Sequence, residues 1–383
     1  MSSLLNGPMR RFLPAAVVLI LTGALFLLAK LPSTSDDDRK ELASRFRFTE
    51  LPIAMPPNLP EHRTVRAVNP AYEEIRSWIS SVGAAIALND LEGTGVANGL
   101  CLVDTRSDSV VVTAAPGSKS KIVPFVLQPA PLPYDATMAP MGCVPGDYNG
   151  DGRMDLLVYY WGRTPVLFLH KPVAGPLTLA SYRPTELIPQ QSRAVDHYTG
   201  ERWNTNAVAV ADFDGDGHPD IGVFNYFPDS GVLDPTDQDN VTMNHSMSRA
   251  QNGGGAHVLC WMGEDANGVI YTEEHAIDPA VATGWTLGAA SADLDGDLLP
   301  ELYLANDFGN DRFFHNVSTK GHIRFELAEG TRGPFTAKSA VVGHDSFKGM
   351  SIEFGDLGNT GKFDMFVSNI TTCLLYTSDA ADE

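Results

Sequence analysis

Residues 147–155 read DYNGDGRMD, residues 212–220 DFDGDGHPD and residues 293–301 DLDGDLLPE, three segments with an acid or amide at positions one, three, five and nine. Two weaker copies, DLEGTGVAN from Asp90 and DLGNTGKFD from Asp356, keep the frame and lose some of the acids. Successive starts lie 57, 65, 81 and 63 residues apart. A repeat at a near-fixed period dictates architecture before any single residue does, so the chain is expected to be an array of similar units.

The flanks of each copy give the unit its structure. Small apolar runs precede the loops, AAIAL, NAVAVA, LGAASA and GMSIEFG, and LLVYY, IGVFN and LYLAN follow three of them. Such short runs of β-branched, aromatic and small residues read as strands, so each loop joins the two arms of a hairpin. Downstream, VVVT, VLFLH, HVLCW and RFFHN supply a third strand. Several short strands per unit, repeated around a ring, define an all-β fold, a β-propeller of four-stranded blades.

The loops carry the chemistry. Ca²⁺ takes six to eight oxygens at about 2.3–2.6 Å, and alternate side chains on a tight loop converge their oxygens on one point. The expected ligands are Asp147, Asn149, Asp151 and Asp155 in the first full copy, Asp212, Asp214, Asp216 and Asp220 in the second, and Asp293, Asp295, Asp297 and Glu301 in the third. Position seven offers a backbone carbonyl, from Arg153, His218 and Leu299. Gly150, Gly152, Gly215 and Gly217 permit the positive φ angles of such a turn. An EF-hand begins in the same way but needs a Glu at position twelve, where this chain has Val158, Val223 and Leu304. The competing reading makes each Asp a turn cap bonded to its own backbone, and it is preferred for Asp90 and Asp356. In the fuller loops three or more acids within nine residues repel one another unless a cation neutralises them, so two or three Ca²⁺ ions are expected.

The DxDxDGxxD loop between two apolar strands resembles the FG-GAP or VCBS repeat of integrin α-chain propellers and many bacterial surface proteins. LYLANDFGNDRFFHN and GMSIEFGDLGNTGKFDMFVSN are similar to the VCBS-repeat proteins related to cartilage acidic protein. The resemblance spans residues 84–370 and implies a propeller, typically seven-bladed, with calcium in hairpin loops on one face and a role in adhesion, binding or surface assembly. This chain departs from the pattern at Leu298, where the other full loops have Gly152 and Gly217, and at Thr94, Asn98, Gly358 and Thr360, where acids are missing.

A formal net charge of −20 repels phosphate backbones, which excludes nucleic acid as a partner class and favours cations. The four cysteines, Cys101, Cys143, Cys260 and Cys373, show neither CxxC nor zinc-ligand spacing, so isolated buried thiols are expected, and Cys101 and Cys143 pair only if the fold brings them together. No GxSxG, HExxH or phosphate-cradling Gly loop occurs.

Residues 1–30 contain the uncharged stretch Phe12 to Ala29, read as a transmembrane helix that anchors the chain with the propeller facing the periplasm or exterior. A cleaved signal peptide is the competitor, and it makes the protein secreted. Residues 31–68, rich in Pro and charge, read as a tether without sustained period, and residues 69–372 as the propeller. Asn69-Pro70 starts a short helix with Tyr72, Ile75, Trp78 and Ile79 on one packing face. Residues 227–256 form a polar insertion, either functional or a solvated excursion; within it His245, and just past it His257, could ligate or catalyse, though no carboxylate-His-nucleophile spacing accompanies them. The end, CLLYTSDAADE (373–383), breaks the blade pattern and resembles an adapter sequence translated in frame, so the native chain is expected to be longer. Two functions follow: a non-catalytic scaffold for a protein or glycan ligand, or a hydrolase or lyase acting on polysaccharide or lipid.

Overall fold

The computed structural model describes residues 9–29, 35–173, 175–188, 197–238, 241–266, 268–334, 341–344 and 348–369, with backbone alone at 9–12 and 29. The tail from Cys373 lies outside the described residues. The chain divides into two units, Met1–Leu51 and Pro52–Glu383.

The first unit holds helices α1 (Met9–Ala29) and α2 (Asp36–Ser44). Among the described residues no helix is long and apolar enough to cross a membrane, which overturns the expected transmembrane helix and the membrane-anchored location. Helix α1 carries Pro14 in its first turns. Helix α2 falls in the stretch read as lacking period. Its signal is a capping box: Ser35 accepts from the Asp38 N–H while Asp38 accepts from the Ser35 N–H, and Asp36, Asp37 and Asp38 favour the positive end of the helix.

The second unit is mostly β. Strands β1 (Ala85–Asn89), β2 (Gly99–Asp104), β3 (Ser109–Ala114) and β4 (Phe125–Leu127) form one four-stranded antiparallel meander. A second comprises β5 (Ala139–Gly146), β6 (Asp155–Trp161), β7 (Val166–His170) and β8 (Tyr182–Glu186), and a third β9 (Asn204–Ala211), β10 (Asp220–Phe227), β11 (Gly255–Asp265) and β12 (Gly268–Glu274). The pair Trp161↔Asn204 joins these two into an eight-stranded sheet. A fourth meander has β13 (Thr286–Ala292), β14 (Glu301–Asn306), β15 (Arg312–Asn316) and β16 (Phe325–Ala328), and the last described pair is β17 (Gly349–Gly355) with β18 (Asp364–Asn369).

Alternation of side chains across each strand explains how the meanders stack. On β6, Leu156 and Val158 pack with Val103, Val110 and Val112 of the first meander, while Leu157 packs with Ile221 and Val223 of the third. Phe224 on β10 meets Leu302 and Leu304 of β14, whose intervening residues Tyr303 and Ala305 meet Ile352 of β17. The second strands β6, β10 and β14 are therefore buried on both faces, which is why they read as continuous apolar runs. First strands lie side by side, β5 against β1 and β9, and β13 against β9 and β17. That crowding selects small residues: a Cβ on Gly288 would meet the Ser351 Cα at 3.0 Å.

The expected helix is present, its first turn a 3₁₀ segment Pro70–Ile75 capped by the Asn69 side chain, its second part α3 (Arg76–Ser81). Its role is packing: Tyr72 and Ile79 join Trp161, Phe227 and Trp285 in an aromatic cluster. The insertion belongs to the same cluster through Val232 and Leu233, so its described part is folded against the body and is no solvated excursion. The Asn69 N–H donates to the Val232 carbonyl at 2.9 Å and the Tyr72 hydroxyl to that of Thr242 at 3.1 Å. Arg66, 2% exposed, donates to the carbonyls of Ile79 and Val82 and to Asp108.

Among the described residues the expected isolated thiols are corrected to one. Cys101 on β2 and Cys143 on β5 form a disulfide, because facing meanders bring their Cα atoms to 6.2 Å; Cys260 is free and buried. This bond closes a chain segment of 42 residues, and Cys101→Ser is expected to cost about 2–4 kcal/mol. Urea unfolding of wild type and variant checks this, and equal midpoints would show that the bond adds nothing.

Candidate metal centre

Each Asp-rich segment is the loop between the first and second strands of its meander, and all five are built alike. Residues at positions four and six take left-handed backbone: Gly93 and Gly95, Gly150 and Gly152, Gly215 and Gly217, Gly296 and Leu298, Asn359 and Gly361. The position-one carboxylate accepts two loop N–H groups, those of Asp151 and Gly152 on Asp147, Asp216 and Gly217 on Asp212, and Thr360 and Gly361 on Asp356. In the third full loop Asp293 accepts from Gly296 and Leu298. The position-nine acid opens the second strand and accepts the N–H of position two, as Asp155 does from Tyr148 at 3.1 Å, Asp220 from Phe213 at 2.9 Å and Glu301 from Leu294 at 2.9 Å. Its other oxygen reaches the third strand: Asp155 accepts the His170 N–H at 2.7 Å, Asp220 that of Trp261 at 2.8 Å, and Glu301 meets His315 Nδ1 at 3.0 Å.

The three fuller loops differ in what converges. Among the described residues, Asp212, Asp214 and Asp220 bring one oxygen each within 4.8 Å of one another, as do Asp293, Asp295 and Asp297. Asp214, 3% exposed, accepts from Asp216 N at 3.0 Å and from Gly321 N of the next meander at 2.6 Å. An ionised carboxylate has about four acceptor sites, so two N–H bonds leave room for a cation, and an all-oxygen set suits a hard one. In the first full loop Asp151 instead pairs with the Arg153 guanidinium and accepts from Asn149 Nδ2 at 2.9 Å. His218 stacks on Trp261 with ring centres 3.5 Å apart, and Leu299 lies beside Gly215 of the preceding loop. Sequence reasoning missed Asn316, 1% exposed, whose amide donates to the carbonyls of Phe213 and Pro300 at 2.9 Å each and ties the second loop to the third. It also missed His315, which lies fourteen residues past Glu301 and reaches the loop only through strand pairing.

His245 and His257 are held elsewhere. His245 Nδ1 meets Asn252 at 2.6 Å, while His257 stacks on Trp203 and meets Glu273 at 2.7 Å.

Burial raises the Asp155 carboxyl to about 7; N–H bonds from His170 and Tyr148 oppose the rise, and nearby Asp151 and Asp147 add to it. Asp220 is likewise raised to about 7 by burial, opposed by the Trp261 and Phe213 N–H groups and reinforced by Asp214 and Asp216. By contrast, N–H bonds from Thr360 and Gly361 hold exposed Asp356 below the usual carboxylate range. The position-one acid of the degenerate loop is thus held by two N–H groups and the Thr360 hydroxyl, whereas the position-nine acids of the full loops are buried.

No family model matches this chain, and neither does any curated protein. Among solved structures, the Bacillus licheniformis rhamnogalacturonan lyase PL11 is similar over 80% of this chain at 13% identity and a TM-score of 0.35, and the chain spans 59% of that protein's length. A likeness of that size carries no argument about fold or function.

Two outcomes are expected. Leu298, 81% exposed, adopts a φ of 73° that glycine takes in the other loops, so Leu298→Gly relieves about 1–2 kcal/mol of strain against about 0.5–1 of added chain entropy. A small gain in the denaturation midpoint is expected, and a loss would show that the leucine side chain is needed. In chelator, the folded Asp155 and Asp220 bind protons that the unfolded chain has released, so stability falls as pH rises from about 4 through 7. Melting temperatures across that interval check the sign, and the slope is expected to be shallower in Asp220→Asn.

Proposed function

We propose that the chain is a calcium-binding β-propeller serving as a non-catalytic binding scaffold, for a protein or glycan ligand. The carrying observation is that the acid-rich segments occupy the same hairpin in successive meanders, with two all-oxygen sets each drawn to within 4.8 Å. Meanders stacked face to face, their first strands side by side, support the ring arrangement. Asp212, Asp214 and Asp220 hold one ion and Asp293, Asp295 and Asp297 a second. A third, at Asp147, Asn149, Asp151 and Asp155, competes with Arg153 for Asp151. An ion bound only by the folded chain adds stability, about 2.7 kcal/mol at a hundredfold excess over Kd. The alternative, an enzyme acting on polysaccharide or lipid, gains nothing from His245 or His257, both engaged with neighbouring side chains.

Calcium titration of the full chain, following ion stoichiometry and melting temperature, tests the reading. Two or three ions and a higher melting temperature are expected, with one ion lost in Asp212→Ala and in Asp214→Ala. Folded protein that neither binds calcium nor gains stability from it would overturn the proposal and leave the acids as turn formers.

A further inference from the structure

The fourth meander replaces a backbone contact with a side chain that binds metals. In the second and third meanders the position-nine Asp accepts a main-chain N–H of the third strand; in the fourth, Glu301 is one methylene longer and meets the His315 ring instead. His315 Nδ1 lies 3.0 Å from Glu301 Oε1 and 3.7 Å from Asp295 Oδ2, and the three ligand atoms fall within 4.8 Å of one another. We propose that Asp295, Glu301 and His315 bind a divalent transition-metal ion of the Zn²⁺ class, so that this loop takes a different metal from the loop of Asp212. The inference rests on the reading that these loops hold cations, and it refines which cation one of them selects.

Donor chemistry separates the two ions. Calcium is bound by oxygen, whereas imidazole nitrogen with carboxylate oxygen suits Zn²⁺ and its first-row neighbours. Bonds of about 2.0–2.2 Å in a tetrahedral shell put adjacent donors a little over 3 Å apart, the spacing seen around His315. Glu301 is fixed by burial, 2% exposed, and by its bond from the Leu294 N–H, so one ligand is already in place. The side chains of Asp295 and His315 are about half exposed, which leaves the ion an entry path and a position for water. Asp295 belongs also to the all-oxygen set with Asp293 and Asp297, so the two ions compete at one loop.

Cobalt(II) is the probe, because its visible absorption reports coordination by nitrogen and oxygen in a distorted tetrahedral shell. Chelator-treated full chain is titrated with Co²⁺, and the bound signal is then challenged with Zn²⁺ and with Ca²⁺. The expected result is a site that Zn²⁺ displaces and equimolar Ca²⁺ does not, weakened about tenfold or more in His315→Ala and in His315→Gln, the latter keeping a donor for Glu301. Asp214→Ala leaves the cobalt signal unchanged while removing a calcium ion. A cobalt signal indifferent to His315, or displaced by equimolar calcium, overturns the proposal. Loss of calcium binding everywhere with the cobalt site intact would instead overturn the calcium reading alone.

Discussion

A carboxylate buried at the start of β6, β10 and β14 is the interaction on which the three full units depend. Asp155 and Asp220 each accept one N–H from the loop they close and one from the third strand, so a single side chain fixes loop, hairpin and sheet edge together. Both are fully buried, and a buried polar group is costly unless bonded, so each loop is committed to one geometry. Glu301 does the same with a histidine ring in place of a main-chain donor. Once the loop is fixed, the second strand enters the stack with alternate residues directed to opposite cores.

Much of this was legible in the sequence. The acids marked the loops, the left-handed glycines marked the turn, and GMSIEFG, VLFLH and RFFHN each coincide with a complete strand. What the sequence hid depended on distance along the chain. Cys101 and Cys143 are 42 residues apart and meet only because facing meanders place β2 against β5. Asn316 joins two loops by reaching Phe213, 103 residues earlier. The capping box of α2 is local, carried by Ser35 and Asp38, but it sits in a stretch whose prolines and charges show no sustained period. The apolar run at the N-terminus forms a helix, and among the described residues no helix is long and apolar enough to cross a membrane.

The end of the stack away from the Asp-rich loops is organised by aromatic packing. Trp161, Phe227 and Trp285 lie at or beside strand ends of successive meanders, and Tyr72 and Ile79 cover them from the segment before β1. Trp161 and Phe227 meet edge to face with centres 5.4 Å apart, and Phe227 meets Trp285 in the same way at 5.6 Å. Such pairs add specificity beyond the area they bury. The insertion after β10 contributes Val232 and Leu233 to this cluster, which explains how an 81-residue unit fits among shorter ones: its excess folds back as a cover.

Identical backbone in successive loops does not produce identical electrostatics. In the first full loop Arg153 neutralises Asp151 within the loop. In the second, the charge on Asp214 is met by main-chain N–H groups, one of them Gly321 from the neighbouring meander, which makes that loop's geometry a property of two units rather than one. In the third, an imidazole faces Glu301 and Asp295. A guanidinium carries its own positive charge, a peptide N–H only a partial one, and an imidazole offers a lone pair. The negative charge left uncompensated is therefore smaller in the first loop than in the second, and in the third a ring nitrogen stands among the carboxylates. Repetition fixed the turn, and single substitutions around it set what each turn can hold.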